Sequence, residues 1–134
     1  MIAQNIMAKR RMTVHFRIPP YKPPRNDWRK EIYKAAKTEI ERRGIQYKRE
    51  DKLQISIVLY LPKRSLEIHD LDNRSKDVLD ALQGRMGGSK AMRTPTPLVP
   101  NDNQFASLSV TKSVPPKQSL EKGHVTISKF HPAN

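Results

Sequence analysis

Asp70, Asp72, Lys76 and Asp80 are the residues of this chain whose types and spacing best suit chemistry. Hard carboxylate oxygens around open positions suit Mg2+, which keeps several waters and completes its shell from a phosphate. An ion held that way polarises the phosphate and lowers the pKa of an attacking water. The two-residue step from Asp70 to Asp72 constrains the backbone. In a continuous helix the two side chains would point about 200° apart, whereas in an extended segment they share a side and Leu71 turns inward. If they act together, the helix begins at about Asp72. Downstream, Leu71, Ser75, Val78 and Leu82 then form a buried stripe. Asp72, Lys76 and Asp80 fall along a neighbouring one, with an ammonium one turn from the first carboxylates. That ammonium could stabilise charge growing on a scissile phosphate, or simply bridge to Asp72 or Asp80 on the surface. The acids have a plainer reading too, because aspartates cap and favour helix N-termini. Asp77 reads as a solvated surface acid, and His69 as a hydrogen-bonded bystander.

The surroundings sharpen the question. Between Glu67 and Asp80 five acids stand against two bases, a local charge of −3 in a chain of +13, so everything else carries +16. A small, strongly basic surface suits a polyanion such as nucleic acid. Clustered carboxylates within it would repel that polyanion unless a metal ion sat between them. With 134 residues and no cysteine, the chain reads as one domain without disulfides, zinc–thiolate sites or thiol catalysis. No apolar run approaches the roughly 18 residues of a membrane span, and the N-terminus lacks the apolar stretch of a signal peptide. A soluble, intracellular protein is expected.

The elements that must position these residues can be read in order. Residues 1–12 read as a flexible basic arm and residues 13–131 as a single domain. Val14, Phe16 and Ile18 alternate as a half-buried strand, stopped by the Pro19-to-Pro24 segment. Asn26 looks like an N-cap for an amphipathic helix over 27–43, with Trp28, Ile32, Ala35, Ala36 and Ile40 inward and Gly44 ending it. Residues 53–60 make the best strand, and a turn over Pro62 to Ser65 leads to the acidic stretch. The segment from Gly84 to Pro100 shows no periodic pattern and reads as a long loop. Residues 104–112 and a run marked by Val125, Ile127 and Phe130 form two last strands, joined hairpin-fashion through Pro115 to Gly123. The order β-α-β-α-β-β predicts an α+β fold, a small mixed sheet with two helices packed on it.

The sequence Asp70-Leu71-Asp72-Asn73, followed by Lys76, by Val78-Leu79-Asp80-Ala81-Leu82 and later by Asn101-Asp102-Asn103-Gln104, resembles the RusA family of Holliday-junction resolvases. The resemblance runs from the first strand and its Pro-Pro exit to the last strand. It implies a small basic homodimer, bacterial or phage-encoded and cytoplasmic, that uses Mg2+ to nick four-way DNA junctions symmetrically in recombination and repair. It implies further that Asp70, Asp72 and Asp102 are metal-binding acids, Lys76 the catalytic lysine and Asp80 a supporting acid. Asn101 stands where the family often has a second acid, leaving Asp102 as the sole acid there.

The expectation is a Mg2+-dependent, structure-selective endodeoxyribonuclease. The bases Lys63, Arg64 and Arg74 around the acidic stretch, and Arg85, Lys90 and Arg93 in the long loop, are candidate DNA contacts. Both ends of that loop are expected at the site. Two other readings stand beside this one: a non-catalytic DNA- or RNA-binding accessory protein whose acids merely cap a helix, and a nuclease for other branched DNA.

Overall fold

Alternation of apolar and polar residues, broken only by Val58 in the second, makes the first two strands. In β1 (Val14–Ile18) Val14, Phe16 and Ile18 are buried while His15 and Arg17 face out. In β2 (Leu53–Tyr60) Leu53, Ile55, Ile57 and Leu59 are buried in turn. A period of two sends each set to one face of the sheet. The computed structural model describes residues 12–61, 71–86, 96–116 and 122–132. Within these, helices α1 (Arg25–Arg42) and α2 (Leu71–Leu82) and strands β3 (Phe105–Ser113) and β4 (Gly123–Lys129) complete the predicted α+β order.

The sheet runs β1-β4-β2-β3. β4 is antiparallel to both β1 and β2, so those two are parallel to one another, and β3 pairs in parallel with β2. Parallel strands need a crossover, which α1 supplies between β1 and β2 and α2 between β2 and β3. Both crossovers step the same way across the sheet, so one handedness puts both helices on one face. Burial follows: Val14, Phe16, Ile18, Ile55, Ile57, Val125 and Ile127 pack with Trp28, Ile32, Ala36, Val78 and Leu82 in one core. The other face carries Gln54, Ser56, Ser107, Ser109, Thr126 and Ser128.

Three expectations are corrected. First, the strands β3 and β4 are not a hairpin, because β2 lies between them. The reason is visible in their side chains: β4 buries Val125 and Ile127 and suits the sheet interior, whereas β3 is exposed over residues 106–109 and suits an edge. Second, α1 begins at Arg25 with Pro24 as its N-cap and no side-chain cap. The Pro24 carbonyl accepts from the Asp27 and Trp28 N–H groups at 3.0 and 3.4 Å, which leaves Asn26 inside the first turn. Third, Met12 belongs to the domain and not to an arm. It packs against the core, and its carbonyl accepts from the Tyr47 hydroxyl at 2.7 Å. Burial, aided by the Asp51 charge, pushes the Tyr47 phenol well above its usual range. The rest of the proposed arm, residues 1–11, lies outside the described residues.

Gly44 does end α1. At φ +66° its N–H donates to the Glu41 carbonyl and that of Ile45 to the Ile40 carbonyl, the two bonds of a Schellman close. Gly84 (φ +78°) ends α2 the same way, with Arg85 N–H donating to the Asp80 carbonyl. Gly123 is required for another reason. A Cβ there would run into the Val58 carbonyl on the neighbouring strand. Gly123→Ala is therefore expected to lower stability by about 1–3 kcal/mol, the cost of forcing backbone apart in a packed sheet. Thermal unfolding checks it, and an unchanged midpoint would mean that β4 has room to shift. Among the described residues no helix is long and apolar enough to cross a membrane.

Candidate metal and nucleic-acid site

Since β1 and β2 run in parallel and each is followed by a returning helix, the N-terminal ends of α1 and α2 meet where those strands finish, at Ile18 and Tyr60. Crevices at the carboxyl ends of parallel strands are where sheets with such crossovers bind ligands. Helix N-termini also bring partial positive charge there.

Three sides of α2 do three jobs. Ser75, Val78 and Leu82 are buried and Leu71 packs against the core, as its stripe predicts. Asp72 and Lys76 are exposed, one turn apart on the outer side, and the Ser75 hydroxyl donates to the Asp72 carbonyl at 3.0 Å within the first turn. The third side faces α1, and there the sequence misled. Asp77 is fully buried, not a surface acid. Its Oδ1 accepts from Arg25 Nε and Arg29 Nε, both at 3.0 Å, and its Oδ2 lies 3.4 Å from Arg74 Nη2. That last pair is an ion contact without a hydrogen bond, and among the described residues Asp77 Oδ2 has no hydrogen-bond partner. Asp80 shares Arg29, at 3.1 Å from its Nη2. Burial of a carboxylate is tolerable only with such partners.

Arg74 is also relocated. Instead of facing solvent, it is 9% exposed, with its guanidinium 3.7 Å over the Tyr21 ring centroid and 5.9 Å from that of Trp28. The Trp28 indole N–H is in turn fixed on the Pro19 carbonyl at 2.8 Å. A guanidinium is weakly hydrated and stacks on aromatic faces, which is why Arg and not Lys can occupy this place. The proline-rich segment after β1 thus holds the start of α2 through Tyr21.

Asp102 stands elsewhere in the fold. It opens a 3-10 turn (Asp102–Gln104) that leads into β3, whose first residue Phe105 pairs with Leu53 at the opening of β2. The Leu98 and Val99 N–H groups donate to the Leu82 carbonyl, so the segment before Asp102 is tied to the last turn of α2. From Asp72 to Leu82 the helix axis covers about 15 Å at 1.5 Å per residue. Within one chain Asp102 and Asp72 are therefore at opposite ends of α2, and the long loop does not begin and end at one place beside Asp72. Gln104 anchors the turn: its Oε1 accepts from the Asn101 N–H at 2.9 Å while its Nε2 donates to the Lys48 and Asp51 carbonyls.

Arg85 is exposed just after α2, at the end away from Asp72. Asp70, Lys63, Arg64, Lys90 and Arg93 lie outside the described residues, as does the side chain of Asp102. Among the described residues no three acids or histidines gather into a metal-holding group. On the uncovered sheet face, Tyr60 Oη and His124 Nε2 share a hydrogen bond of 2.8 Å. Loss of hydration lowers the His124 pKa, with Arg17 and His15 nearby acting the same way.

Sequence reasoning missed Arg25 and Arg29, and it singled out Gln104 only as part of the resemblance, without a role. An Arg pair at i,i+4 on α1 was visible, but nothing in the linear sequence says that it meets an acid 48 to 52 residues on. No protein-family model matches this chain, and no curated protein matches it.

Proposed function

We propose that this protein is a Mg2+-dependent endonuclease for branched DNA, four-way junctions first among them, acting as a two-fold homodimer. The observation that carries the reading is the sorting of charge on α2. Asp77 is withdrawn from solvent and Asp80 is half-buried against Arg29, while Asp72 and Lys76 stay exposed one turn apart, where two helix N-termini converge in a chain of +13.

The donor set fits Mg2+ in part. Asp72 presents a hard oxygen ligand, Asp70 precedes it by two residues, and Mg2+ needs only one or two carboxylates plus substrate phosphate. When bound, the ion would supply Lewis-acid polarisation and an activated water. The chain's own residues do the rest. Lys76 places an ammonium where charge builds on the phosphate, and Arg25 and Arg29 of α1 keep α2 from turning by holding Asp77. Asp102 can join Asp70 and Asp72 only from a second copy, since its own chain puts it at the far end of α2. A two-fold dimer makes that exchange reciprocal and gives two sites, as paired cuts require.

The test is a labelled four-way junction with and without Mg2+, run beside plain duplex. Paired cuts in the junction that need Mg2+ are expected. Tight binding without cutting would replace this reading with that of a non-catalytic binding protein, and equal cutting of flaps and forks would widen the substrate.

Lys76→Ala is expected to slow cutting by about 100-fold, corresponding to the ~3 kcal/mol that a charge-stabilising donor contributes in a transition state. Affinity should fall far less, because one phosphate contact among many carries a small part of the salt-dependent binding. Single-turnover rates and binding isotherms on the same junction separate the two. A rate that fell only in step with affinity would make Lys76 an ordinary DNA contact.

A further inference from the structure

We infer that Arg25 is a DNA-phosphate contact of the proposed site, held ready for it by the buried carboxylate of Asp77. The inference rests on the reading of the site as a DNA-nicking centre and adds a residue to it from a different helix.

Three guanidiniums converge on Asp77, and they differ in what they show to solvent. The Arg29 side chain is 12% exposed and shared between Asp77 and Asp80, and that of Arg74 is 11% exposed and stacked on Tyr21. Arg25 is 43% exposed although its Nε is fixed on Asp77 Oδ1 at 3.0 Å. A guanidinium has five N–H donors in a rigid fork, more than one carboxylate oxygen can accept. Arg25 therefore keeps donating capacity at the surface while one edge of its fork is tied down. Such a group loses less freedom on meeting a phosphate than a lysine swinging on a free stem.

The charge count points the same way. Arg25, Arg29 and Arg74 face Asp77 and Asp80, so the cluster holds one more positive charge than negative. The excess has its outlet at Arg25, the most exposed of the three. The other acids of the first α1 turns do not cancel it. Asp27 and Glu31 sit roughly 200° and 240° around the helix from Arg25 at 100° per residue. They line a concavity with Pro19, Tyr21 and Pro23 on the other flank.

Position completes the argument. Arg25 meets α2 at Asp77, next to Lys76 in sequence and five residues past Asp72. Five residues are about 7.5 Å of helix axis, the scale of the separation between neighbouring phosphates along one strand. A strand whose scissile phosphate lay at Asp72 and Lys76 would thus bring a neighbouring phosphate to Arg25.

The experiment measures binding of a fluorescein-labelled four-way junction by anisotropy over a NaCl series, with Ca2+ in place of Mg2+. Wild type, Arg25→Ala, Arg25→Lys and Arg42→Ala are compared, and Mg2+-driven cutting is followed in parallel. Arg42 is an exposed base at the far end of α1, paired with Glu39, so its loss changes net charge equally without touching the site. One phosphate contact contributes about 0.9 to the log–log salt slope, or roughly eightfold in affinity per decade of salt. Arg25→Ala is expected to flatten the slope by about that amount, Arg25→Lys to keep the slope while binding more weakly, and Arg42→Ala to match wild type. Far-ultraviolet circular dichroism confirms that each variant is folded. A slope for Arg25→Ala equal to wild type or to Arg42→Ala, in a protein that binds and cuts, overturns the role of Arg25 alone. A wild type that neither binds nor cuts junctions overturns both this inference and the function it rests on.

Discussion

Asp72→Asn is expected to stop cutting while leaving junction binding unchanged or tighter. The amide keeps the shape of the side chain but loses the charge that would hold a divalent ion, and it no longer repels phosphate. Asp72 is exposed on the first turn of α2, away from the buried stripe of that helix. Asp70→Asn and Asp102→Asn should behave alike, and their combination carries the sharper result. Because α2 separates Asp72 from Asp102 within one chain, mixing Asp72→Asn subunits with Asp102→Asn subunits would yield heterodimers with one intact site and one doubly defective site. Those heterodimers should recover nicking of one strand, whereas each variant alone stays inactive. Full activity in all three variants would sink the metal site. Inactive heterodimers would show that Asp102 does not act across the dimer.

Asp77→Ala is expected to be the most damaging substitution for the fold itself. The carboxylate is fully buried and is contacted by three guanidiniums, two of them nearly enclosed. Removing one partner of a buried ion pair typically costs about 3–5 kcal/mol, because the other charge is left without compensation. Here the abandoned charges are Arg29, which keeps Asp80, and Arg74, whose Nε and Nη1 have no hydrogen-bond partners among the described residues. Urea unfolding measures the loss. A change under 1 kcal/mol would mean that the arginines can turn out to water, and that Asp77 does not lock α2 to α1.

Where a signal is local, the sequence was easy to read. The alternation from Leu53 to Tyr60, the Trp28–Ile32–Ala36–Ile40 stripe and Gly44 each express a repeat or a backbone preference set by near neighbours, and each appears in the fold as expected. The failures are all non-local. Asp77 looks like a surface acid until Arg25 and Arg29 are brought over from another helix. Arg74 looks like a DNA contact until Tyr21 slides beneath it. Consecutive strands usually pair, so β3 and β4 suggested a hairpin. Only the demand of β4 for burial on its inner face and pairing on both edges separates them. The resemblance groups Asp102 with Asp70 and Asp72, but nothing in the linear sequence says that the loop leading to Asp102 starts at the far end of a helix twelve residues long.

The strand order also sets the order in which the chain can finish folding. Among the described residues β4 is the last strand in chain order, and it lies between the first two, β1 and β2. Until it arrives, those strands are separated by one vacant strand position, roughly 10 Å from one to the other at the usual spacing. Each then carries an unpaired backbone edge facing the gap. An emerging chain can form its helices and the parallel β2–β3 pair, but its sheet closes only when residues 123–129 leave the ribosome. The C-terminal strand is thus a keystone, and a chain cut short before it would present two open edges at once, the kind of surface on which β proteins aggregate.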